Sequence, residues 1–110
     1  MSLMSGSPGE MGNLLKQAQR MQRAMDEARE ELRRTTVEGS AGGGAVRVEV
    51  SGDGRVRRVE LSDEVFRTGT REELQEMLQA ALESGIEQAA RLRDERMAQV
   101  TGGLQLPGLM

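Results

Sequence analysis

The stretch A-V-R-V-E-V-S-G-D-G-R-V-R-R-V-E-L, residues 45–61, decides the fold. Val46, Val48 and Val50 alternate with Arg47, Glu49 and Ser51. Successive side chains of a strand point to opposite faces, so this alternation predicts a strand with one buried face. Ser51-Gly52-Asp53-Gly54 has the composition of a hairpin turn. Val56, Val59 and Leu61 continue as a second strand. Their spacing slips out of alternation between Val56 and Val59, which predicts a bulge or a strand end. The hairpin is therefore expected over 45–51 and 55–62. Upstream, the β-formers Thr35, Thr36 and Val37 predict a short strand near 35–39. Gly42-Gly43-Gly44 then reads as a backbone turn or a point of close subunit approach.

Helical periodicity replaces strand alternation on both sides. Leu14, Ala18, Met21, Met25, Ala28 and Leu32 recur at alternating spacings of four and three. That is the narrow seam a helix turns toward another helix. It predicts a helix over 13–34, roughly 30 Å long at 1.5 Å per residue, with Asn13 as its N-cap. Downstream, residues 63–70 read as a connection. Thr70-Arg71-Glu72-Glu73 is a capping-box pattern. It opens a second long helix whose wider apolar face, from Leu74 to Leu92 and on toward Val100, is expected to cover the sheet. Gly102 stops it. The tail beyond contains Leu104, Leu106, Pro107 and Leu109. Two fates fit that tail, docking on its own dimer or on another protein, and the first is favoured because exposed apolar patches are uncommon.

The result is an α+β fold of one small domain: helix, three antiparallel strands, helix. Residues 1–10 are expected to be a flexible tail and 11–110 the folded domain. Met4 is a second candidate start, which would make Met1–Leu3 a cloning remnant. The 110 residues hold one aromatic side chain, Phe66, and 36% apolar residues, too few for a self-sufficient core of this size. Three strands also leave two open edges. Both features predict association with a second subunit. No apolar run approaches a membrane span, and the N-terminus lacks the charged and apolar regions of a signal peptide. The absence of cysteine suits the cytoplasm.

Chemistry is excluded by composition. Without His or Cys there is no catalytic triad, thiol nucleophile or His-ligated metal site. Glu72, Glu73, Glu76, Glu83 and Glu87 could be read as acid/base pairs or hard-metal ligands. They are better read as the solvated face of the second helix. The glycine run precedes a strand and has no following Gly-Lys-Ser/Thr, so it is no P-loop. Met21 and Met25 could wedge between bases, but their heptad spacing favours packing. No enzymatic activity, cofactor, metal or small-molecule substrate is expected.

The net charge of −3 argues against a strong polyanion binder, yet the charge is unevenly spread. Residues 13–36 carry six basic and four acidic side chains, whereas 71–100 carry four basic and seven acidic. Lys16, Arg20 and Arg23 precede every acid of the first helix segment. At 100° per residue they lie at about 200°, 240° and 180° from Leu14, opposite the apolar seam. Gln17, Gln19 and Gln22 lie among them. Such a row is either an ordinary charged face or a phosphate-contacting stripe. Two-fold symmetry would double three cations to six.

Three stretches together carry a family resemblance: N-L-L-K-Q-A-Q-R-M-Q at 13–22, E-G-S-A-G-G-G-A-V-R-V at 38–48, and M-A-Q-V-T-G-G-L-Q-L-P-G at 97–108. In this order they resemble the YbaB/EbfC family of bacterial nucleoid-associated proteins. The resemblance implies an intertwined homodimer with protruding long helices. It implies duplex DNA binding in the bacterial cytoplasm, nucleoid organisation and gene regulation, with neither enzymatic activity nor cofactor. By position, the implied DNA-contacting residues are Lys16, Arg20 and Arg23, with Arg91, Arg93 and Arg96 as weaker candidates diluted by Asp94 and Glu95. The alternative is a protein–protein adaptor of the replication or repair machinery, motivated by the acidic balance and the apolar tail.

Overall fold

The structure, a computed structural model, describes residues 8–102. The chain runs α1 (Pro8–Arg34), β1 (Thr36–Ala41), β2 (Val46–Ser51), β3 (Val56–Leu61), α2 (Asp63–Thr68) and α3 (Arg71–Gly102). The strands form one antiparallel sheet in the order β1-β2-β3. The helix–sheet–helix order is the one the periodicities predict.

Two boundaries differ from expectation. The first helix starts at Pro8, so Asn13 lies inside it and does not cap it. Proline suits a first helical position, where its fixed φ fits and its missing N–H would have no partner. Residues 63–68 form a short helix, not a plain connection. Ser62 caps it, its hydroxyl accepting from the Val65 N–H at 3.1 Å. The second predicted cap holds, since the Thr70 hydroxyl accepts from the Glu73 N–H at 3.1 Å.

The core lies where α3 crosses the sheet. Val46, Val48 and Val50 are fully buried, with Ala81 and Ala89 of α3 over them. The crossing depends on two glycines. A Cβ on Gly39 would collide with the Ala81 carbonyl oxygen and lie 2.7 Å from the Gly85 Cα; one on Gly85 would lie 2.8 Å from Val50 Cγ2. Backbone therefore packs on backbone. The run Gly42-Gly43-Gly44 turns β1 into β2 with φ of 65°, 67° and 94°, a region that favours glycine.

The phase slip in β3 is a bulge. Glu49 pairs with Arg58, yet Val50 pairs with Val56, so Arg57 is an extra residue. The extra residue places both Val56 and Val59 opposite buried valines, on the face that α3 covers. However, α3 does not reach β3. Val56, Val59 and Leu61 stay 39–45% exposed; elsewhere Ile86 of α3 is 48% and Phe66 of α2 71% exposed.

The described chain measures 77 × 24 × 16 Å, with a radius of gyration of 21.9 Å. A compact domain of about 100 residues would have roughly 13 Å. The excess length comes from α1 and α3, which extend well past the sheet. The apolar seam of α1 divides along this length. Ala28 and Leu32 are buried, Met21 and Met25 are half-buried, and Leu14 and Ala18 are exposed.

Candidate nucleic-acid interface

Lys16, Arg20 and Arg23 all lie on the N-terminal part of α1, and all are exposed. Every residue from Asn13 to Arg20 is exposed, because neither the sheet nor α3 packs against this stretch. The helix alone holds the three cations on one side, with the seam residues Leu14, Ala18 and Met21 on the other. None of the three forms an ion pair with any other described residue. Phosphate oxygens can reach them without displacing a carboxylate.

The cations further along α1 differ. Arg29 faces Asp26 at 3.5 Å. Arg33 and Arg34 share Glu30 at 2.8 and 4.0 Å. The weaker candidates on α3 are scattered in role. Arg91 is exposed on α3. Arg93 is half-buried, its guanidinium beside the hairpin turn near Gly54. Arg96 bonds Glu31 of α1 at 2.8 Å. That hydrogen bond, reinforced by opposite charge, holds the Glu31 carboxyl below its ordinary value and pushes the Arg96 guanidinium up. Arg96 thus ties α1 to α3 rather than standing ready for DNA.

The hairpin turn is internally bonded. The Ser51 hydroxyl donates to Asp53 and accepts from the Arg55 N–H at 3.1 Å. The Ser51 hydrogen bond is the main cause of the lowered Asp53 pKa, with Arg57 and Arg55 adding to it.

The remaining candidates do not gather into a site among the described residues. Glu72, Glu73, Glu76, Glu83 and Glu87 are all exposed on α3. Among the described residues, no three His, Cys, Asp or Glu side chains gather as a metal-binding group. The glycine run borders a hollow that also contains Glu64 and Glu73, carboxylates that would repel a phosphate. Among the described residues no helix is long and apolar enough to cross a membrane.

What the periodicity did not reveal is a cleft of about 640 Å³ between α1, the hairpin turn and the end of α3. Met21, Met25, Leu32, Met97 and Val100 give it an apolar lining, with arginines at its rim. The seam of α1 signalled one wall; nothing local in the sequence indicated the other.

A three-stranded sheet crossed by one long helix, with a second long helix whose N-terminal cations have no ion-pair partner among the described residues, defines a small α+β protein with extended helices. The model of the YbaB/EbfC DNA-binding family matches residues 7–104, and the chain belongs to that family. It is 40% identical over 106 residues, 96% of its length, to a protein of Alkaliphilus metalliredigens (strain QYMF) named nucleoid-associated protein, 92% of which is covered. The fold is similar to the crystal structure of an uncharacterized Helicobacter pylori protein, with a TM-score of 0.70 at 23% identity, covering 88% of this chain and 99% of the other.

Proposed function

We propose that this protein binds duplex DNA as a homodimer, with low sequence specificity, through phosphate contacts from Lys16, Arg20 and Arg23. In this reading it organises the nucleoid in the bacterial cytoplasm, contributes to gene regulation, and has no enzymatic activity, cofactor or small-molecule substrate. The observation that carries it is the row of three exposed cations, without ion-pair partners among the described residues, on α1 of a chain from a DNA-binding family. Cations without base-reading partners bind phosphate and not sequence. Dimerisation is supported by the apolar face of β3, where Val56, Val59 and Leu61 lie open. A second subunit that covers this face would also bring a second cationic arm.

The test is a gel shift at low salt comparing the wild type with K16E/R20E/R23E. The expected result is loss of binding on the order of 100-fold, with the circular dichroism spectrum unchanged. A folded triple variant that binds duplex DNA as tightly as the wild type overturns the site. With roughly four to six phosphates contacted per dimer, log K of the wild type should fall with log salt at a slope of about −4 to −5.

A further inference from the structure

The cleft between α1 and α3 has two properties that together narrow its occupant. Its floor, formed by Met21, Met25, Leu32, Met97 and Val100, is apolar and partly open. Its rim has four arginines, but three of them already face carboxylates: Arg29 faces Asp26, Arg33 faces Glu30, and Arg55 faces Asp53. The rim therefore has little spare positive charge to draw a polyanion, and the floor calls for an apolar group.

Such a group begins at the mouth of the cleft. Val100 and Thr101 line it, and α3 ends at Gly102. Residues 103–110 follow, G-L-Q-L-P-G-L-M, with no charged side chain and with Leu104, Leu106, Leu109 and Met110 as apolar groups. Gly102-Gly103 can take the backbone conformations a sharp reversal needs. The floor from Met21 to Leu32 spans about 16 Å of helix, and about five extended residues cover that distance. None of the exposed β3 residues Val56, Val59 and Leu61 lines the cleft, so its filling does not compete with the face proposed for dimerisation.

We infer that residues 104–110 of the same chain fold back into this cleft, with their leucines on the methionine floor. The rim arginines then donate to backbone carbonyls of the segment. This closes the open half of the α1–α3 contact and fixes the two arms to each other. The inference concerns the chain alone and stands or falls separately from DNA binding.

The chain has no cysteine, so engineered pairs report unambiguously. Under mild oxidation of the full-length protein, M25C/L106C should form a disulfide within one chain, seen as a faster monomer band on a non-reducing gel. L14C/L106C, which places the first cysteine beyond the cleft, should not. Absence of the intrachain M25C/L106C product overturns the inference, whether no bond forms or a covalent dimer shows that a second copy supplies the segment. Should the cysteine variants fail to fold, methionine oxidation provides an independent reading. Peroxide should oxidise Met25 and Met97 several-fold faster in L104S/L106S/L109S than in the wild type, by mass spectrometry. Equal rates overturn it.

Discussion

The two halves of α1 belong to one uninterrupted helix with one repeating seam, and they have different surroundings. From Met25 to Arg34 the seam meets α3 and the hairpin turn: Ala28 and Leu32 are buried, and the arginines face acids. From Asn13 to Arg20 every residue is exposed, and the cations of this stretch have no carboxylate partners among the described residues. The difference shows that a periodic pattern specifies a face, while the rest of the chain determines how much of that face is used. Under the proposed function it also assigns stability and DNA binding to separate parts of a single element.

That separation can be broken in measurable ways. The largest effect is expected at Leu32, 3% exposed against Gly52 of the turn. Leu32→Ala should cost about 2–5 kcal/mol in urea unfolding, in line with other buried leucines. It should leave the salt slope of DNA binding unchanged in the fraction that stays folded. A smaller loss, roughly 2.7 kcal/mol in binding for a 100-fold weakening, is expected from K16E/R20E/R23E, with the urea midpoint unmoved. If that midpoint falls as far as in Leu32→Ala, the two halves are not separable.

Next in size is Leu14→Ala, in the same seam but 62% exposed. Its cost should stay within about 0.5 kcal/mol. A larger value would show that a partner covers the arm. The smallest effect concerns pH. Glu31 is held below its ordinary 4.5 by Arg96, so its contribution is present above that pH and is lost as pH falls through the lowered value. Thermal stability should therefore decline in acid below about pH 4.5, and Glu31→Gln should flatten part of that decline. An unchanged acid limb in the variant would remove the ion pair from any account of how the arms are held.

The sequence made the sheet and the long helices legible because their signals are local. Alternation in Val46, Val48 and Val50 and the seam of α1 each lie within one element. Even the bulge at Arg57 was signalled by the slip between Val56 and Val59. The short helix α2 escaped because six residues are too few for periodicity, although Ser62-Asp63-Glu64 has the composition of a capped start. The true start of α1 was masked by Asn13, a plausible cap that the helix runs through. The cationic stripe could be placed by angle alone. Whether its charges were paired could not, because pairing such as Arg96 with Glu31 joins residues 65 apart. The cleft was hidden for the same reason: Met21 and Met97 line it from distant parts of the chain.

The glycine contact at the core has a mechanical consequence. With no side chain between Gly39 and Gly85, the crossing of α3 over β1 brings the two backbones into direct contact. The helix extends from Gly85 to Gly102 as a lever of about 26 Å. Tilting it by about 5° at this contact would displace its far end by roughly 2 Å, close to half a helical turn. The position of the far end of α3 is thus sensitive to packing at a point where two backbones touch.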